Sequence, residues 1–418
     1  MLNQANHKKG SLAVILLTIF IDLLGLGIII PIFTPLFLDM TNGVLPASYT
    51  LANRAILLGL LIATFPLAQF FGAPILGALA DRYGRKRLLL FSLFGTLVGY
   101  LIFVTGILTR NLPLLFAGRL LDGFTGGNMS IAMSSIADMS TEEEKAKHFG
   151  YAGVAVGLGL ILGPVIGGSL GDHSISHWFN YATPFLFTTI LAALNLAFVT
   201  WLFRETIHHR IQAKVSLLTG FYNLRRAFQL SNLRILFSVT FFLAFGFNFF
   251  VQFFQVFLIQ KFHFSESSIG IFFAYGGLWI AISQGILTPF LTCRYSIARI
   301  IRFAILFLAL AYPILLLPNK VITLYAILPF LAVFYGLTQP TLAALISNLT
   351  DEDSQGEILG INQSIQSLAQ AVPPIIAGII VAISAELPIV VAAIATLVAW
   401  FIYIVLFTAR PEKKFIEV

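Results

Sequence analysis

Three ionisable residues lie deep inside long apolar runs of this chain, namely Asp22, Arg119 and Asp122, whereas the remaining acidic and basic residues fall between such runs or at their ends. A lone charge at the centre of a bilayer costs about 2.5–3.5 kcal/mol on insertion scales, so each of the three needs a charged partner or a wet cavity. Arg119 and Asp122 are three residues apart and therefore share one face of a helix. Asp22 reaches them only if its own helix packs against theirs around a cavity. A carboxylate in a partly dry cavity changes its protonation when an arginine moves or water enters. The chemistry open to this trio is proton binding and release; the alternative is a static ion pair that pins two helices together.

The elements that must position them follow from composition. Hydrophobic residues make up 58% of the 418 and charged residues 10%, with a mean hydropathy of +0.92. Apolar runs longer than about 18 residues recur, and such runs span a bilayer as helices because backbone polar groups in lipid must be satisfied within their own segment. The expected fold is an all-α membrane protein of twelve transmembrane helices. The first six fall near 11–38, 55–80, 88–108, 112–139, 149–170 and 183–203. The second six fall near 234–258, 268–291, 300–318, 322–349, 358–384 and 388–409. The first run is too long for a secretion-signal core and lacks a small-residue cleavage site, so it reads as span 1.

Lysine and arginine placement sets the orientation. Twenty of them lie on the side that holds the ends of the chain and four, Arg54, Arg110, Lys261 and Lys320, on the other, which predicts that both termini are cytoplasmic. The net charge of +7 is then carried by loops facing an anionic leaflet and calls for no nucleic acid. The single cysteine, Cys293, permits no intrachain disulfide.

The longest polar interruption divides the chain into an N-terminal six-helix bundle over 1–203, a cytoplasmic linker over 204–233, mildly amphipathic and expected along the membrane surface, and a C-terminal bundle over 234–418. A repeat supports the division. Ile136 to Gly150 is echoed 210 residues later by Ile346 to Gly360, and at the same offset Gly163-Pro164-Val165-Ile166-Gly167-Gly168 meets Pro373-Pro374-Ile375-Ile376-Ala377-Gly378. Two halves on one plan, arranged pseudo-symmetrically, place a binding site at their interface near the midplane, where one half rocks against the other.

Uncharged polar residues mark the walls of such a site. Asn248, Gln252 and Gln255 share one side of span 7, as Asn362 and Gln366 do on span 11, and with Gln69, Trp279, Gln284 and Gln339 they suit an amphipathic substrate that offers hydrogen bonds and a flat apolar face. Span 7 is also dense in phenylalanine from Phe241 to Phe257, rings that lipid contact mostly explains. On span 5, Gly159, Gly163, Gly167 and Gly171 recur every fourth residue, a spacing that lets helices approach closely, while Pro164 permits a bend. No phosphate loop, zinc-protease motif or paired-cysteine metal site occurs, so neither an enzyme, a metal centre nor direct ATP drive is expected.

Between spans 2 and 3 the chain reads Gly77-Ala-Leu-Ala-Asp81-Arg82-Tyr-Gly84-Arg85-Lys86. This resembles the loop between helices 2 and 3 of major facilitator superfamily transporters. Span 5, with Gly157, Gly163, Pro164, Gly167 and Gly168, looks like the helix 5 motif of the family's antiporter branch. Asp22 in Asp-Leu-Leu-Gly-Leu-Gly-Ile-Ile-Ile-Pro and Arg119 in Gly-Arg-Leu-Leu-Asp-Gly resemble the helix 1 acid and helix 4 arginine of drug:proton antiporters. Ile136-Ala-Asp-Met-Ser through Gly150, and Gly360-Ile-Asn-Gln-Ser364 in the second half, look like its tetracycline-efflux branch. Those carriers place a histidine in helix 8 where this chain has Ile280, although the matching Gln284 is present.

The resemblance implies a monomeric, multi-pass carrier of the bacterial inner membrane that exports small amphipathic, drug-like compounds in exchange for protons, with the proton gradient as energy source and no cofactor. It implies proton coupling by Asp22, Arg119 and Asp122, and a cytoplasmic latch in which Asp81 meets the start of span 11. Proton-coupled uptake of a nutrient or siderophore-like metabolite, and a transport-dead membrane sensor, remain as other readings.

Overall fold

A computed structural model of the chain describes residues 2–206, 218–230, 233–350 and 355–407. The first half contains α1 (Leu2–Leu38), α2 (Leu51–Tyr83), α3 (Arg85–Leu108), α4 (Leu112–Thr125), α5 (Asn128–Met139), α6 (Glu142–Gly171) and α7 (Thr183–Leu202). A short helix, α8 (Thr219–Gln229), follows in the linker. The second half contains α9 (Arg234–Phe262), α10 (Glu266–Ile282) running through a π-helical turn (Ser283–Leu287) into α11 (Thr288–Thr292), then α12 (Ile297–Ile314), α13 (Val321–Asn348), α14 (Gln355–Ile380) and α15 (Leu387–Leu406). Helix starts are fixed by local chemistry: Thr50, Asn111 and Ser265 each accept an N–H of the first turn, and proline occupies the first turn of α4, α7 and α15.

Among the described residues, ten helices are long and apolar enough to cross a membrane. Of the twelve expected spans, the two outside that set are those that carry polar residues into the bundle. Span 11 is α14, 26 residues long, with Asn362, Gln363, Gln366 and Gln370 along it. The expected span over 112–139 is not one helix: it breaks at Gly126-Gly127 into α4 and α5. The break is stabilised by neighbours. The Gln69 amide of α2 donates to the Gly126 carbonyl at 2.8 Å, and the Ser92 hydroxyl of α3 contacts the carbonyl of Thr125. Carbonyls freed in mid-membrane are thus paired with side chains, the condition under which a break inside lipid persists.

The glycines of α6 serve two different faces. Gly159, Gly163, Gly167 and Gly171 lie against α1, where a Cβ on Gly163 would stand 2.7 Å from the Cα of Gly27 and one on Gly167 would stand 2.8 Å from the Cα of Ile28. Gly168 lies against the other half, a Cβ there coming 3.1 Å from the Cα of Ser267, and Gly270 of α10 packs on the backbone of Pro164. A matching contact joins α2 to α14, where a Cβ on Gly59 would stand 3.1 Å from the Cα of Gly378. Both contacts join the halves at the face that the charge bias assigns to the exterior, here called the outer face.

At the opposite ends of the same helices the halves stand apart. A Cβ on Gly77, Gly150, Gly153, Gly157, Gly285 or Gly360 would meet open space. The bundle is therefore closed outside and open inside. The linker helix α8 sits at this inner opening, with Phe221 5.4 Å from Phe70 of α2 and Asn223 donating to Ser364 of α14 at 3.0 Å, so it touches both halves.

The expectation that the phenylalanines of span 7 mostly face lipid is overturned. Phe249, Phe250, Phe253, Phe254 and Phe257 are all buried in protein, because α9 packs on α13, α14 and α15 rather than at the rim.

Candidate proton-coupling and substrate site

The charged trio is built across the break in span 4. Arg119 and Asp122 sit one turn apart on α4, both buried, with Arg119 Nη1 3.2 Å from Asp122 Oδ2. The guanidinium lies over the ring of Phe65 at 4.5 Å and faces that of Phe33 at 5.4 Å, so its remaining field is met by aromatic faces. Asp22 of α1 does not bond Arg119. Its Oδ1 accepts from Asn128 Nδ2 at 3.1 Å, on the far side of the break. Ser92 spans the break, with its hydroxyl contacting both Asn128 Oδ1 and the Thr125 carbonyl. Asp22 is partly buried, whereas Asn128, Arg119 and Asp122 are buried, so of the two acids it is the less enclosed. Asn128 was not singled out in the sequence, because an asparagine after two glycines reads as a turn until the helix is seen to restart there.

A cavity of about 710 Å³ lies between the halves, lined by α6, α9, α10 and α13. Gln284 and Gln339 line it, as do Gly157 and Pro164 of α6 and Ile280 at the position of the missing histidine. Phe247 and Tyr335 stack on its wall with ring centroids 3.4 Å apart. Asp22, Arg119 and Asp122 are not among its lining residues.

The other amides are placed differently. Asn248, Gln252 and Gln255 form a chain along α9: Asn248 donates to Ala244, Gln252 donates to Asn248 Oδ1 at 3.0 Å, and Gln255 donates to the Gln252 carbonyl. Among the described residues, the buried Oε1 atoms of Gln252 and Gln255, Asn362 Oδ1 and Trp279 Nε1 have no hydrogen-bond partner. Gln366 is partly buried on α14, and Gln69 is engaged at the break.

At the inner face the loop Gly77 to Lys86 is organised by a group the sequence did not mark. Gly84 has φ 112°, and the Glu205 carboxylate lies where a Cβ would be. Glu205 accepts the backbone N–H of Arg85 at 2.8 Å and of Lys86 at 3.2 Å, so an acid caps the positive end of α3. Arg85 pairs with Asp81 and, at 3.1 Å, with Asp138, while Lys86 Nζ donates to the Thr200 carbonyl and Arg82 lies over the Tyr83 ring at 5.2 Å. The side chains at 355–357, which an Asp81 latch would engage, lie outside the described residues. Among the described residues no group of histidine, cysteine, aspartate and glutamate could hold a metal ion.

Two helical bundles closed at one face, with charge buried inside the first bundle and a cavity between the two, define a membrane carrier of the rocking type. The sequence profile of the Major Facilitator Superfamily matches residues 15–374 and again 236–417. The chain belongs to that superfamily. It is 31% identical over 382 residues to the tetracycline resistance protein, class C, of Escherichia coli, covering 91% of each chain. It is 24% identical over 403 residues to multidrug resistance protein 2 of Bacillus subtilis, covering 95% of each. Among solved structures, the human organic anion transporter MFSD10 superposes with a TM-score of 0.72 at 22% identity, over 95% of this chain and 99% of that one.

Proposed function

We propose that this protein is a monomeric proton:substrate antiporter of a bacterial inner membrane, with both termini cytoplasmic, that exports small amphipathic compounds by alternating access. The carrying observation is the placing of a partly buried Asp22, held by Asn128, one helix break away from a buried Arg119–Asp122 pair. In the cycle, Asp22 takes a proton while the outer face is open. The bundle then closes outside, and the proton leaves inward as substrate enters the cavity. Return to the outward-open form carries substrate out. One charge crossing the full potential supplies about 2.3 kcal/mol per 100 mV.

The relatives named for tetracycline and multidrug resistance support export and a drug-like cargo. The Gln284 and Gln339 amides on the cavity wall, beside the stacked Phe247–Tyr335 rings, suit a flat molecule with hydrogen-bonding groups on its edge. Ile280 on the cavity wall removes a polar contact and argues against tetracycline as the substrate.

The test is flux in proteoliposomes with an imposed pH gradient and a panel of drugs and metabolites, with lumenal pH followed in parallel. Asp22→Asn is expected to abolish gradient-driven accumulation while leaving energy-independent exchange. Undiminished active transport by this variant would sink the coupling role.

A further inference from the structure

At the outer face, where the halves touch, one hydroxyl is shared between two acids from opposite halves. The Tyr181 hydroxyl, ahead of α7, stands 3.0 Å from Asp39 Oδ2 at the end of α1 and 3.1 Å from Glu266 Oε1 at the start of α10. A phenol has one hydrogen to donate, so it serves one carboxylate and turns a lone pair to the other. Burial, with the charges of Glu266 and Asp39 beside it, pushes the Tyr181 phenol far up and keeps that hydrogen in place. Asp39 is the acceptor. Its other oxygen takes the backbone N–H of Thr41 at 2.8 Å and the Thr41 hydroxyl at 2.7 Å, and these donors outweigh the opposing effect of burial and hold the carboxyl below its usual value. Glu266 is then left with an oxygen against a lone pair, and the contact closes only if that oxygen carries a hydrogen.

Among the described residues no cation forms an ion pair with it. Asp172, at the end of α6, adds another negative charge, held ionised against its burial by the Ser174 hydroxyl and N–H and by the Ser267 N–H at 3.4 Å. Arg54 of α2 spends its guanidinium on the backbone carbonyls of residues 37, 39, 45, 46 and 49. Lys261 donates to the Leu316 carbonyl, and His173, His177 and His263 make no described hydrogen bond or ion pair with the cluster.

We propose that Glu266, with Tyr181 and Asp39, is a second proton-binding site, at the outer gate and separate from the Asp22 site, whose occupancy holds the gate shut. The proton is the missing ligand of a contact that exists only when the halves meet. When the gate opens, Glu266 leaves with the second half, meets solvent and ionises as an ordinary glutamate. The closed form therefore binds one more proton than the open form, taken from the outer solution and returned to it. Low external pH favours closure, and rising pH favours opening by up to about tenfold per pH unit while the closed form keeps its proton.

This rests on the alternating-access reading and is tested apart from transport. Spin labels at Ile175→Cys and Lys320→Cys, exposed outer positions on opposite halves, are placed in a Cys293→Ser background. Distances are measured in nanodiscs from pH 5 to pH 9 without substrate. The parent should move from the short to the long distance as pH rises. Glu266→Gln, whose amide N–H replaces the missing hydrogen, should stay short throughout, and the pH response should survive in Asp22→Asn. A parent whose distances ignore pH, a Glu266→Gln variant that responds as the parent does, or an Asp22→Asn variant that loses the response would each overturn the site. Failure of Asp22 in the flux assay would leave these distances untouched, so the two readings fail separately.

Discussion

At the scale of single residues, Gly84 shows how the loop between α2 and α3 depends on a group far away in the chain. Its φ of 112° lies in a region L-residues rarely adopt, and the Glu205 carboxylate occupies the space a Cβ would need. Gly84→Ala thus meets backbone strain of about 1–3 kcal/mol and also displaces the acid that caps α3. The expected result is a clear drop in the thermal unfolding midpoint of the purified protein; an unchanged midpoint would show that neither contact matters. The loop pattern was legible because glycine and charge stand out between apolar runs. Asp22, Arg119 and Asp122 were legible for the same reason, as charges where lipid forbids them. Asn128, Ser92, Glu205 and Tyr181 were not, because such residues are ordinary in sequence and acquire a role only from what tertiary packing places beside them.

At the scale of elements, α6 separates its glycines by face, and the separation can be measured. Gly163 has the Gly27 backbone 2.7 Å from where its Cβ would be, whereas Gly157 faces open space. A leucine at position 163 must push α1 and α6 apart, and overpacking of this kind costs about 1–3 kcal/mol. Gly163→Leu should therefore lower thermal stability in detergent, while Gly157→Leu leaves it nearly unchanged; equal losses would contradict the assignment of faces. The fourfold spacing announced close packing without saying which helix receives it. The break in span 4 was hidden because two glycines in an apolar run are tolerated in membrane helices, and only Gln69 and Ser92 from neighbouring helices make a full break sustainable. The phenylalanines of α9 misled for a related reason: lipid and a protein core select the same side chains, so composition cannot tell a rim helix from a central one.

At the scale of the whole molecule, the glycines describe a carrier caught at one end of its stroke. Gly59 against Gly378, and Gly168 against Ser267, are contacts made only with the outer face closed, while Gly153 and Gly157 face the space that must vanish when the inner face closes. Bulk added at the two ends should drive the equilibrium in opposite directions. Gly59→Leu cannot fit the closed outer contact and should favour the outward-open form. Gly153→Leu costs nothing in the inward-open form and should obstruct closure of the inner face, favouring the form seen here. A penalty of about 1–3 kcal/mol on one state changes the ratio of the two by about 5- to 150-fold. The same outer-face spin-label distance reads both variants: longer for Gly59→Leu, shorter or unchanged for Gly153→Leu, with net transport slowed in each because a carrier must visit both states. If both variants moved the distance the same way, the halves would not rock about a shared centre, and the opposing roles of the two sets of glycines would be lost.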